Sequence, residues 1–241
     1  MALNRMLGEG AEPEKPCANL PHNTGRLLTL IVVGSLWGLA EMTLGSFLHI
    51  IHFPDKGAVM GGLAISLMAV FSALTGKPSL VPLLGVIAAS FKPFSAIIFG
   101  MSLLSPFVIN PSIAIITEAL AFSGVVAGLG EAINRHIFAR AGAGILAGFL
   151  GYVYYAGLAS IFGLGVWPSL DFMAKFQLVL DDATPTAIAG AIMLLTGYSM
   201  GKAALPRISG FRESHPRLYY SASLVIVLFA WVIPIVFRQG A

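Results

Sequence analysis

Three ionisable residues interrupt long apolar runs: Glu41 in "GSLWGLAEMTLG", Lys92 in "ASFKPFSAII" and Glu118 in "IAIITEALAF". A charge in hydrocarbon costs about 2.5–3.5 kcal/mol at a helix centre by insertion measurements, so it calls for a partner charge, a ligand or a watery cavity. Two carboxylates and an ammonium can serve in two ways. They can bind a small polar or zwitterionic molecule, with the glutamates holding cationic or donor groups and Lys92 an anionic group. Alternatively, Lys92 can neutralise one or both glutamates in an internal lock that holds helices together. Both readings stand at the level of sequence.

Other residues offer weaker chemistry. His49, His52 and Asp55 in "HIIHFPDKG" have metal-ligand side chains, but no fourth partner is fixed by spacing, so no metal site is assigned. His49 and Asp55 remain candidates for contact with a substrate. Cys17, the one cysteine, excludes an intrachain disulfide and any cysteine-based metal motif. The sequence contains no HExxH, GxSxG, Walker A or CxxC pattern, so no enzyme activity and no cofactor is expected. Uphill transport by such a chain would draw its energy from partner subunits or an ion gradient.

The elements that must carry these residues follow from composition. Of 241 residues, 57% are hydrophobic and 10% charged, against about 25% charged in an ordinary soluble domain. Apolar runs over 27–51, 58–75, 80–109, 111–130, 142–166, 184–200 and 218–237 are candidate spans, since about 20 apolar residues cross a bilayer. In lipid an open chain satisfies its backbone only as a helix, so the expected fold class is all-α, a polytopic membrane bundle. The run 80–109 is long and broken at "FKPF". Asn110 ahead of Pro111, and Thr184 ahead of Pro185, read as N-caps that start new helices. Residues 1–25 read as a flexible cytoplasmic lead, 26–202 as a six-helix core, and 203–241 as a cytoplasmic loop followed by a seventh, C-terminal helix.

The basic residues orient the chain. With the N-terminus inside, the inner segments hold ten lysines and arginines and the outer segments three, a positive-inside bias for the cytoplasmic membrane. No basic block points to nucleic acid. The connection "WPSLDFMAKFQLVLDDATP" is the longest outer segment, with Trp167, Phe172 and Phe176 either at the interface or in a lid. Tyr152, Tyr154 and Tyr155 read as interfacial anchors in the inner half of their helix.

At about 1.5 Å rise per residue, Glu41, Lys92 and Glu118 fall at one level, between the midplane and the outer third. At 100° per residue, Glu41 shares a face with Gly34, Gly38, Gly45, His49 and His52, opposite lipid-suited Val32, Leu36, Leu39, Phe47 and Ile50. Gly34 and Gly38 form a GxxxG spacing that admits a partner helix. The same spacing recurs at Gly124/Gly128, Gly144/Gly148 and Gly197/Gly201. Pro93 removes a backbone donor and frees the carbonyl of Ala89.

The layout over roughly residues 26–202, with "FPDKGAVMGGLAISL" leading into a short second helix and the Gly/Ala-rich "PSIAIITEALAFSGVVAGLG" and "AGAGILAGFLGYV", resembles the S components of energy-coupling factor vitamin transporters. The resemblance implies a membrane-embedded substrate-binding subunit. Its small-residue face on helix 1 (here Gly34 and Gly38) would contact a transmembrane coupling subunit, with ATPases as further partners. Substrate would bind near the outer face, beneath the loop at about residues 52–57. The seventh helix departs from that layout, and so does the placing of Glu41 on the glycine face.

Overall fold

The computed structural model of the chain describes residues 22–238. The expected lead over residues 1–21 and the last three residues lie outside them. The described chain is α-helical apart from short 3-10 turns and connections: α1 (His22–Ile50), α2 (Lys56–Thr75), α3 (Val81–Ala89), α4 (Phe91–Phe99), α5 (Pro106–Leu129), α6 (Ala132–Arg135), α7 (Ile137–Ile161), α8 (Phe172–Ser214) and α9 (Pro216–Arg238). Among the described residues, six helices are long and apolar enough to cross a membrane. The α3–α4 pair makes a further traverse. It starts at the end of the bundle where α2 finishes and delivers the chain to the end where α5 begins. The protein is a multi-pass, all-α membrane protein.

The break in the third span occurs at Ser90, and Pro93 explains it. Proline has no N–H to bond the Ala89 carbonyl and clashes with it, so the helix ends at Ala89 and restarts at Phe91. The Ser90 hydroxyl donates to the Ile87 carbonyl at 2.6 Å, satisfying one terminal acceptor.

Other prolines do not break their helices, which corrects two expectations. The cap of α5 is Ser105, whose hydroxyl accepts from the Phe107 N–H, with Pro106 in the first turn. Asn110 and Pro111 lie inside the helix. Thr184 caps nothing either, because α8 runs unbroken through Pro185 and Pro206 for 43 residues. The hydroxyl after each of the first two prolines donates to the carbonyl four residues back, Ser112 to Val108 at 2.7 Å and Thr186 to Asp182 at 3.0 Å. Such local bonds make proline tolerable in a packed membrane helix. The boundaries therefore shift. His22–Gly25 belongs to α1 and not to a lead, 203–214 is the end of α8 and not a loop, and most of the long connection is its beginning.

At about 1.5 Å per residue α8 is roughly 64 Å long, more than the 40–45 Å of a whole bilayer. It is the central helix, packed most extensively on α2 and α7. Glycine makes that packing close. A Cβ on Gly148 would meet the Thr186 carbonyl oxygen at 2.8 Å, and one on Gly201 would meet the Val70 carbonyl oxygen at 2.9 Å. Gly144 lies directly on Gly190, and Gly197 on Ser66. Gly124 and Gly128 share the spacing but face open space. The main core, including Trp37, Phe71, Leu84, Phe122 and Leu194, fills the interior between α1, α2, α3, α5, α7 and α8.

The glycine contacts carry a prediction. Gly144→Leu or Gly197→Leu must separate two backbones and should cost about 1–3 kcal/mol or more through overpacking, while Gly124→Leu should be neutral. Thermal unfolding of the three variants in one detergent, followed by size-exclusion fluorescence, checks this.

Candidate functional site

The three membrane charges separate into two places. Lys92, at the start of α4, reaches α1. Its Nζ lies 3.2 Å from Glu41 Oε2 and donates to the Glu41 backbone carbonyl at 3.0 Å. The Trp37 indole N–H, one turn earlier on α1, approaches Glu41 Oε1 at 3.4 Å. The ion-paired side chains are only 13% and 10% exposed. Around them the Phe91 ring packs at a tilt against Trp231 of α9 with centroids 4.2 Å apart, and the Trp231 indole donates to Ser35 Oγ at 3.1 Å. Glu41, Lys92 and the aromatic rings thus join α1, α4 and α9.

Gly34 and Gly38 belong to this assembly. A Cβ on Gly34 would meet the Ile87 side chain at 2.9 Å, and Gly38 lies under the Phe91 ring. The GxxxG face of α1 is therefore occupied by α3 and α4 of the same chain, not left open for a partner helix. The opposite face is as expected at Leu36, Phe47 and Ile50, which are exposed, whereas Leu39 packs beside Met42 and Phe91.

Glu118 faces elsewhere. It lies near the middle of α5, across α2 from Glu41. Met60 of α2 approaches Gly45 beside Glu41, while the next residue, Gly61, faces Glu118 with 3.4 Å between an added Cβ and Oε1. On its other side Gly151 of α7 comes as close, 3.2 Å from an added Cβ to Glu118 Cγ. Two glycines thus bring α2 and α7 against the carboxylate-bearing turn. No hydrogen bond reaches the Glu118 carboxylate among the described residues.

Glu118 opens into a cavity of about 490 Å³ at the end of the bundle closed by the α1–α2 turn. Its polar lining is Asp55, Lys56, Asn110, Glu118, Asp182 and Thr186, and its aromatic lining is Phe53, Tyr152 and Tyr155. The size suits a metabolite, and a few convergent polar groups in an apolar cleft are the usual build of a small-molecule site. Glu41 and Lys92 do not line it. Asp55 does, from a left-handed backbone conformation (φ 54°), and His52 in the same turn has φ 51°. Two non-glycine residues in that sparsely populated region make the connection a tight, strained cover. His49 is apart from the cavity, exposed on α1, where its Nδ1 accepts from Lys56 Nζ at 3.0 Å. Among the described residues no three histidine, cysteine or acidic side chains converge as a metal site.

The sequence pointed to Glu118 and Asp55 but not to Asp182, Tyr152, Tyr155 or Asn110. The Tyr152 hydroxyl donates to Asp182 Oδ2. Tyr152 and Tyr155 form an edge-on pair with each other and pack around Trp167, which is buried inside the protein, 4% exposed. Only Tyr154 of the three tyrosines points outward. Asn110 Oδ1 is buried with no hydrogen-bond partner among the described residues. Helical spacing holds the missed signal. If α8 is continued through Pro185, Asp182 and Thr186 fall one turn apart on one face.

In charge the cavity is acidic, three carboxylates against one ammonium, and that ammonium is engaged by His49. Carboxylates, an unpartnered amide oxygen and aromatic faces all favour a cationic group. The chain matches no family model, no curated protein and no solved structure at a significant level. Fold and site therefore define a class: a multi-pass α-helical membrane protein with an acidic, aromatic-lined cavity near one end.

The two sites respond differently to substitution. Lys92→Met leaves Glu41 without its cation and should cost about 3 kcal/mol, whereas Glu41→Gln combined with Lys92→Met should recover most of the loss, as expected when a buried pair is replaced together. A double-mutant cycle on unfolding in detergent measures this coupling.

Proposed function

We propose that the protein is a membrane-embedded substrate-binding subunit for a small polar metabolite carrying a cationic nitrogen, taken up through the cavity beneath the α1–α2 turn. The observation that carries this reading is the acidic, aromatic lining around Glu118. Glu118 and Asp182 hold the ammonium, Tyr152 and Tyr155 contribute ring faces, and Asn110 accepts from a donor on the ligand. Lys56, at the rim, is placed to meet an anionic group of a zwitterion.

The S-component-like layout supports a protein that captures substrate and is energised by others, a transmembrane coupling subunit and ATPases. In this reading the N-terminus is cytoplasmic and the cavity opens to the outer face of the cytoplasmic membrane. The asymmetry of basic residues supports that orientation. The glycine face of α1 is covered within the chain, so a coupling subunit would dock elsewhere. Glu41 and Lys92 act as the lock, a structural role inside a binding protein.

A second reading has an observation of its own. The unpartnered Glu118 carboxylate within a span suits proton exchange in an ion-coupled carrier. Uptake into liposomes containing this protein alone, driven by a pH gradient, would favour the carrier. Uptake only with coupling partners would favour the subunit.

Binding of purified protein to a panel of vitamins and metabolites, followed calorimetrically, tests the site. A cationic or zwitterionic compound should bind. Glu118→Gln and Asp182→Asn should each weaken it by about tenfold or more, in line with the loss of one charge-assisted hydrogen bond, and Lys92→Met should leave affinity unchanged. Unaltered affinity in both carboxylate variants would remove the cavity as the site.

A further inference from the structure

A second and larger cavity, about 820 Å³, lies at the opposite end of the bundle between α1, α8, α9 and the end of α2. Its walls are mostly apolar, with Val33, Leu205 and Ile226 among them, and its basic lining is Arg26, Lys202 and Arg212. The serine and threonine hydroxyls in the lining are already used by their own helices: Thr29 donates to the Gly25 carbonyl at 2.9 Å, Thr75 to Phe71 at 2.8 Å, Ser209 to Leu205 at 2.9 Å and Ser223 to Tyr219 at 2.8 Å. The cations are not. Arg26 Nε is buried and has no hydrogen-bond partner, and none of the three cations makes an ion pair among the described residues, even with Glu213, the one acidic residue in the lining. Among the described residues Lys202 meets the face of Tyr198, its Nζ 5.6 Å from the ring centroid.

Three like charges around one cavity repel one another unless an anion lies between them. The shape of the cavity indicates the kind of anion. Arg26 and Arg212 mark its outer end, where Gly25 lies against the Arg212 guanidinium. Val33 is seven residues deeper on α1, about 10 Å at helical rise, and Ile226 is as far along α9 from Tyr219. The cavity thus passes from guanidinium groups at the bundle end into apolar wall at hydrocarbon depth. The side of α9 facing away from the bundle, at Leu224, Val225, Leu228 and Phe229, is exposed, so the helix that walls the cavity also borders the bilayer. We infer that this cavity holds an anionic glycerophospholipid of the adjoining leaflet, its phosphate between Arg26, Arg212 and Lys202 and an acyl chain along Val33 and Ile226. The site is independent of the ligand cavity at the other end. It would fasten α9, which otherwise packs mainly on α1, to the end of α8.

The test is native mass spectrometry of the full chain titrated with phosphatidylglycerol or phosphatidylcholine of identical chains, with glycerol 1-phosphate as the soluble headgroup. Phosphatidylglycerol should be retained at a concentration at least tenfold lower than phosphatidylcholine, and glycerol 1-phosphate should not bind in the same range. Arg26→Gln with Arg212→Gln should reduce the preference to within about twofold. Arg207→Gln, an exposed arginine of the same end outside the cavity, should keep it. Equal retention of the two lipids by the unaltered protein overturns the proposal whether or not the double variant folds. So does binding of glycerol 1-phosphate alone with the same strength, which would mark a site for a soluble anion. An equal loss of preference in Arg207→Gln also overturns it, because the charge of the whole end would then suffice.

Discussion

The backbone of α8 lies against α7 and α2 with almost no side chain between them, and the rest of the bundle is arranged around that contact. Lipid provides no hydrophobic force between helices, so close van der Waals packing must hold them. Gly144 on Gly190, Gly148 on Thr186 and Gly197 on Ser66 supply it. The contact also shapes the acidic cavity. Gly148 and Thr186 form part of its lining, and beyond them the larger Tyr152, Tyr155 and Asp182 occupy the space between the helices. Tight packing at one level and bulk at the next leave a cleft bounded by α2, α5, α7 and α8.

The membrane charges divide along the same lines. Glu41 and Lys92 compensate each other between α1 and α4, next to a broken helix whose free ends need stabilising. Glu118 is flanked instead by Gly61 and Gly151, which bring helices close but offer no donor. A carboxylate without an internal partner is the feature expected of a group that meets a ligand or a proton. The same contrast holds between the two ends of the molecule, with carboxylates and aromatic rings lining one cavity and cations without an ion-pair partner among the described residues lining the other.

Proline shows why sequence reading reached some features and missed others. Pro93 breaks its helix, and the break was legible because a lysine and two aromatic residues accompany it. Pro111, Pro185 and Pro206 look the same locally, yet their helices continue. A proline costs a helix one backbone bond and a steric clash, and whether the helix survives depends on packing and on hydroxyls such as Ser112 and Thr186. Treating Pro185 as a start hid Asp182 in a supposed loop. That in turn left Tyr152 without its partner, so it read as an interfacial anchor.

What the sequence determined by itself is what lipid enforces residue by residue. It set the all-α class, the approximate spans, the exposed face of α1 at Leu36, Phe47 and Ile50, and the need of Glu41, Lys92 and Glu118 for company. Each follows from transfer energies and helical period, which are local quantities. Only the tertiary structure decided which company each charge keeps. Pairing Lys92 with Glu41, setting Glu118 in the cavity that Asp182 also lines, and filling the Gly34–Gly38 face with α3 and α4 all depend on which helices are neighbours and at what rotation. Those are properties of contacts between residues far apart in the chain, and the period of any one helix does not contain them.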